Sequence, residues 1–212
     1  MKGKFIVFEG IGGSGKTTQV KLLCKKFDKL KIPYTYIKFP AYNTFYGKII
    51  QKYLKGELGE LDEIPAEIPC LLYACDRYNQ REKIIRYLNK EVNIISDRYI
   101  ASNIAFQSAK FKSKKERKKI TKWIRTVESR LPQPDTSILF NMPVSASQEL
   151  LNKRGDIDIH ETDLEYQERI RKNYENIAKK NKWKIINCMK KNKLKSIDNI
   201  HQEVWNHIKN II

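Results

Sequence analysis

The residues best suited to chemistry come early in the chain. Gly10-Ile11-Gly12-Gly13-Ser14-Gly15-Lys16-Thr17 has the spacing GxxxxGK[ST]. In such a loop the glycines let the backbone curl until successive N–H groups point inward at phosphate oxygens. A helix opening near Lys16 adds the positive end of its dipole. Lys16 is then placed to reach the β- and γ-phosphates of a nucleoside triphosphate, and Thr17 to set its hydroxyl on Mg²⁺. Thr18, the next residue of that helix, completes the nucleotide-binding set. The motif carries this meaning only between a strand and a helix; elsewhere it is an ordinary glycine-rich turn.

Two further groups have the right residue types for a second substrate. Asp97-Arg98-Tyr99 closes the apolar run Val92–Asp97. In open α/β sheets ligands bind at the carboxyl ends of the strands. Asp97 there is placed to hold Mg²⁺ through water or to orient an acceptor, and Arg98 to clamp a phosphate with its fork of donors. The plainer alternative is a capping aspartate beside a surface arginine. In Leu71-Leu72-Tyr73-Ala74-Cys75-Asp76-Arg77, Tyr73 and Arg77 are four apart and share one helix face. An aromatic plane beside a guanidinium suits a flat base; a core tyrosine and a surface arginine are the alternative.

These residues need a scaffold that brings strand ends together. Lys4–Glu9, Tyr34–Phe39, Val92–Asp97, Thr136–Asn141 and Trp183–Asn187 read as strands. Between them, helical spacing covers residues 16–31, Tyr46–Leu54, a long helix reaching about Leu88, and residues 99–130 with a basic interruption from Lys110 to Lys122. A helix near Thr162 and a last one over 197–211 complete the pattern. Pro65 and Pro69 mark the approach to the long helix. Strands alternating with helices predict βαβ units, a parallel sheet and helices on both of its faces. With 212 residues and no internal repeat, one domain over 1–212 is expected.

Composition narrows the function classes. No apolar run approaches the roughly 18 to 20 residues of a membrane span, and no signal-peptide pattern opens the chain. Cys24, Cys70, Cys75 and Cys188 form no CxxC pair. Zinc is therefore not expected, and reduced thiols of a cytoplasmic protein are the default. The net charge is +18. However, Lys, Asn, Ile and Tyr, all with A/T-rich codons, fill 86 of 212 positions, and Lys outnumbers Arg 32 to 10. The charge therefore reflects composition and an anionic substrate. The run KFKSKKERKKITK is read as a solvated helix face, with nucleic acid not expected as a partner.

The segments FEGIGGSGKTTQ, KFPAY, LLYACDR, DRYIASNIAFQ and PQPD, in that order and at that spacing, resemble the thymidylate kinase family over essentially the whole chain. The resemblance implies the nucleoside monophosphate kinase form of the P-loop NTPase fold, with a five-stranded parallel sheet, and usually a homodimer. It implies transfer of the γ-phosphoryl group of ATP to dTMP, giving dTDP and ADP. On this basis Tyr73 stacks on thymine, Arg77 faces its O4, and Asn103 contacts the base edge. Phe106 crowds C2′ against ribonucleotides, Phe39 and Pro40 shape the pocket wall, and Arg98 holds the dTMP phosphate. The acceptor is already a phosphate oxygen, so no catalytic histidine is expected. His160, His201 and His207 are assigned to the surface.

The chain departs from the family pattern at three places. Gly12 stands where an acidic residue usually contacts the sugar 3′-hydroxyl, so weak discrimination against a 3′-deoxy acceptor is expected. Tyr42 replaces an arginine found in many members, and can donate to phosphate without carrying charge. Gly13 stands where some members have an arginine inside the loop; members without it carry basic residues in a lid. Lys153-Arg154-Gly155 falls in that region, near 152–162, which makes Arg154 the candidate charge-neutralising residue. Two alternatives stay open: a kinase of the same fold for another nucleoside monophosphate, and a P-loop protein that binds nucleic acid without catalysis.

Overall fold

The computed structural model describes residues 2–155, 158–191 and 193–212. Five strands form one parallel sheet in the order β2-β3-β1-β4-β5. They are β1 (Phe5–Glu9), β2 (Tyr34–Lys38), β3 (Asn93–Asp97), β4 (Thr136–Asn141) and β5 (Lys184–Asn187). All five residues of β1 and of β3 are buried. That is the state of central strands in a sheet covered on both faces, and it explains why they read as continuous apolar runs. Alternate side chains of β1 then serve different cores. Ile6 and Phe8 pack with Val20, Leu23 and Phe27 of α1 (Lys16–Leu30) and with Val204 of α8 (Ile197–Ile208). Phe5 and Val7 face Ile84 of α3 (Glu67–Asn89) and Tyr99. Each such side chain contributes roughly 1.5 to 3 kcal/mol by burial.

The remaining helices are α2 (Phe45–Leu54), α4 (Ile100–Ala109), α5 (Lys114–Val127), α6 (Val144–Arg154) and α7 (Leu164–Lys180). Three differ from expectation. Pro69 lies inside α3, in its first turn, where a missing N–H is no loss because those amides have no helical partner. The stretch from Lys110 to Lys122 is not an interruption: α4 and α5 are separated only by residues 110–113, and the basic run is α5 itself. Ile120 and Ile124 anchor its inner face, so its lysines occupy the solvent side. The helix α6 and a short hairpin, β6 (Met189–Lys190) with β7 (Lys193–Leu194), carry too little periodicity to have been predicted. Among the described residues, no helix is long and apolar enough to cross a membrane.

The register brings three strand ends together. The Arg98 amide donates to the Phe8 carbonyl at 2.9 Å, and the Phe39 amide to the Asp97 carbonyl at 3.0 Å. The turns after β1, β2 and β3 therefore open side by side, at the edge where a doubly wound sheet binds its ligands.

Candidate active site

The glycine-rich loop leaves β1 at Gly10 and enters α1 through Gly15, which takes a left-handed conformation at the helix N-cap with φ 79°. Gly13 needs its glycine twice over. Its φ is +65°, and a Cβ there would lie 2.4 Å from the Ser147 carbonyl oxygen of α6. No arginine fits at this position. Lys16 is 7% exposed, and its Nζ donates to the Ile11 carbonyl at 3.2 Å. Burial, aided by the Arg98 charge, pushes its pKa down to about 7. Thr17 Oγ1 donates to Asp97 Oδ2 at 2.7 Å, while the buried Asp97 Oδ1 has no partner. Two hard oxygen donors at one point, one of them unspent, fit Mg²⁺. Thr18 faces outward from α1.

A cavity beside this loop is lined by Phe39, Pro40, Tyr42, Tyr73, Arg77, Arg98, Asn103 and Phe106. All eight residues read from the sequence as acceptor-binding thus meet in one place, drawn from three segments of the chain. Phe39 and Pro40, joined by a cis peptide bond, form one wall. Two larger clefts among the described residues, about 500 and 850 Å³, lie against α5 and α7 and contain none of these residues. Arg77 is not a surface arginine. It is 1% exposed, and its Nε donates to Glu128 Oε1 at 2.6 Å. Asn103 Nδ2 donates to the Cys70 carbonyl at 3.1 Å, leaving Oδ1 without a partner inside the site. Tyr42 stands at the rim with Lys38 Nζ 5.6 Å from its ring centre.

Arg98 is held in a left-handed backbone conformation, φ 71°, rare for a residue with a side chain. The Ser96 hydroxyl donates to its carbonyl at 2.7 Å and steadies the turn. The guanidinium then reaches back over the Phe106 ring, 5.2 Å from its centre, to the Gly10 carbonyl at 2.8 Å and the Tyr174 hydroxyl at 3.0 Å. Beneath it lies Glu9, fully buried. Glu9 accepts from the Tyr99 amide at 2.9 Å, the Ser102 hydroxyl at 2.6 Å and the Tyr174 hydroxyl at 3.1 Å. Burial raises the Glu9 pKa against the pull of these donors and of Arg98. The network ties the loop, the turn after β3, α4 and α7 into one unit.

Four of these supporting residues, Glu9, Ser102, Glu128 and Tyr174, were not singled out in the sequence. Glu9 left a trace, a lone acid ending an apolar run; the others did not. Arg154 closes α6, and its side chain lies outside the described residues, as do residues 156 and 157 of the segment 152–162. The assignment of His160 to the surface is overturned. It is 2% exposed, and burial pushes its pKa down to about 3. His201 and His207 are partly buried, the latter 2.9 Å from the Thr136 hydroxyl.

The gap at Gly12 is not open space. A Cβ added there would lie 2.0 Å from Glu161 Oε1. Glu161, 7% exposed, occupies the place a side chain at position 12 would take. Its main chain is fixed by Gln148 Nε2 donating to its carbonyl at 2.7 Å. Gly12→Ala is therefore expected to lower thermal stability, and to do so less when Glu161 is already alanine. The coupling should fall within about 0.5 to 3 kcal/mol in a double-mutant cycle followed by melting. Effects that add to within about 0.3 kcal/mol would separate the two positions.

A phosphate-binding loop after the first of five parallel strands, with the acceptor cavity across Arg98, defines a nucleoside monophosphate kinase of the P-loop class. The comparisons narrow this. The family described as thymidylate kinase matches residues 8–204. A probable thymidylate kinase of Pyrococcus abyssi is 34% identical over 207 residues, covering 96% of this chain and 95% of that one. The thymidylate kinase of Dictyostelium discoideum is 33% identical, covering 96% and 83%. The structure of the thymidylate kinase of Candida albicans superposes with a TM-score of 0.82 at 25% identity, over 99% of this chain and 92% of that one. The chain belongs to the thymidylate kinase family.

Proposed function

We infer that this protein transfers the γ-phosphoryl group of ATP to dTMP, giving dTDP and ADP. The observation that carries this reading is one cavity that gathers Tyr73, Arg77, Asn103 and Phe106 with Arg98, whose guanidinium also holds the Gly10 carbonyl of the glycine-rich loop. Tyr73 supplies a plane for the base, and Arg77 and Asn103 supply polar groups at its edge. Arg98 and Tyr42 face the acceptor phosphate. Lys16 and the loop amides hold the donor phosphates. Thr17 and Asp97 hold Mg²⁺, which when bound neutralises charge on the donor phosphates. Arg154, in a lid near 152–162, completes the charge compensation. The acceptor oxygen is largely ionised at neutral pH, so positioning and charge compensation suffice without a general base. A homodimer in the cytoplasm accompanies this reading.

ADP release measured with dTMP, dUMP, dCMP, dGMP and UMP tests the assignment: dTMP should give the highest kcat/KM. Preference for another monophosphate would favour a different acceptor on the same fold. No turnover with any of them would favour a non-catalytic binding protein.

Phe106 lies beside Arg98 in the cavity and is only half-buried, so its ring faces the acceptor. We expect Phe106→Ala to raise the ribo-to-deoxy ratio in kcat/KM by about tenfold, tested with ribothymidine monophosphate and dTMP. The ratio is the informative quantity, because the substitution also removes the face on which Arg98 rests. An unchanged ratio would refute the steric account.

A further inference from the structure

Among the described residues, His160 lines the acceptor cavity with both of its polar atoms unpaired, whereas Asn103 leaves only Oδ1 without a partner. The His160 ring lies between Tyr53, Phe106 and Tyr166, with ring centres 5.4, 5.2 and 5.7 Å away. It is 2% exposed, and neither Nδ1 nor Nε2 has a hydrogen-bond partner. Its main chain is pinned on both sides. The amide donates to Asp158 Oδ1 at 2.9 Å, and the carbonyl accepts from Gln167 Nε2. The neighbouring Ile159 amide donates to the Leu54 carbonyl at 3.1 Å. The backbone thus holds the imidazole in the cavity wall rather than letting it turn to solvent.

Burying a polar group without a partner is costly, and a folded protein keeps such a group where something else completes it. Burial and the nearby Lys110 and Arg98 charges keep the imidazole neutral, so it offers one donor and one acceptor. A hydroxyl also has both capacities and matches either tautomer. The place along the cavity identifies whose hydroxyl it is. Arg98 marks the phosphate end; Arg77 and Asn103 mark the base end. Phe106 touches both Arg98 and His160, which puts the imidazole alongside the part of the acceptor between phosphate and base.

We propose that His160 is a specificity-determining residue that hydrogen-bonds the sugar 3′-hydroxyl of the acceptor nucleotide. This rests on the reading of the cavity as the dTMP site, and it assigns the hydroxyl to the cavity wall rather than to the loop at Gly12. Glu161, the next residue, is directed to the loop instead: it abuts Gly12 and does not line the cavity. The weak 3′ discrimination expected from Gly12 alone is therefore replaced by a clear preference for the hydroxyl.

The test compares kcat/KM for dTMP and 3′-deoxy-dTMP in the wild type, His160→Phe and His160→Leu. Both variants keep an apolar group against Tyr53 and Tyr166 and lack the ring nitrogens. The wild type should prefer dTMP by about tenfold or more, the size of one lost hydrogen bond with its partner left buried. In either variant the preference should fall to within about twofold, and the melting temperature should hold or rise because two unpaired buried nitrogens are gone. A wild-type enzyme that does not distinguish the two acceptors would overturn the proposal. So would variants that lose activity on both equally, since that is the signature of a merely structural residue. The wild-type assay across monophosphates keeps the two failures apart. If dTMP is not the preferred acceptor, the proposed function fails; if it is preferred but the 3′ ratio does not respond to position 160, only the role of His160 fails.

Discussion

Lys16→Ala is expected to cut kcat by about 10²-fold or more while the fold stays intact, measured as steady-state ADP release with circular dichroism as the control. The argument is electrostatic. Lys16 Nζ sits under the loop, bonded among the described residues to the Ile11 carbonyl, in surroundings that disfavour its charge. Phosphate arriving in the loop reverses that balance and fixes the ammonium beside the transferring group. Because the residue is buried, its charge acts through a medium that screens little. The nearby Arg98 cannot substitute, being anchored to the Gly10 carbonyl and Tyr174 on the acceptor side. Wild-type turnover in the variant would remove the loop from the reaction.

Arg77→Ala should be the most destabilising single change in the acceptor site, costing about 3 to 5 kcal/mol in urea unfolding. Arg77 and Glu128 are both 1% exposed, and the guanidinium is the carboxylate's ion-pair partner. Removing it strands a charge in the interior. Burial already raises the Glu128 pKa, with Arg77 opposing. In the variant both lowering contributions of Arg77 are gone and burial dominates, opposed only by the weaker hydrogen bond from Asn103. A carboxyl whose folded pKa lies above its unfolded value binds more protons when folded, so its favourable contribution is present below the unfolded value and is lost as pH rises. The variant's deficit should accordingly be smaller near pH 5 than near pH 8. Arg77→Ala/Glu128→Leu should recover much of the loss by removing the stranded charge. A pH-independent deficit, or no recovery in the double variant, would show that packing rather than charge holds this pair.

Much of this arrangement was legible from residue types and spacing. The central strands announced themselves because a parallel sheet covered on both faces demands unbroken apolar runs, as in Phe5–Phe8. The loop was legible because its glycines serve the backbone, and Gly13 has no room for anything else. Of the acceptor residues, Arg98 at a strand end and Tyr73 with Arg77 on one helix face could be read that way; Phe39, Pro40, Tyr42, Asn103 and Phe106 came only through the resemblance to the family. What could not be read were partners contributed singly from far along the chain. Glu128 is 51 residues from Arg77, and Tyr174 is 165 from Glu9. Tyr174 does fall in the helical rhythm of α7, with Tyr166, Ile170 and Ala178, but that rhythm marks a core position and not a partner for Glu9. His160 takes a polar place in the alternation Asp-Ile-Asp-Ile-His, which gives no sign of burial, and the closure of that segment onto α2 and α7 buries it.

The contact between Gly12 and Glu161 also bears on how such a chain can have diverged. Positions 149 residues apart compete for one place, where a Cβ at position 12 would meet the carboxylate end of Glu161. A lineage moving between the two solutions cannot change them in arbitrary order. Shortening the side chain at position 161 first leaves room at position 12, whereas adding a side chain at 12 first requires Glu161 to move. The acceptability of a residue at position 12 is thus contingent on history recorded at position 161. Relatives that differ at one of these sites should be compared at both.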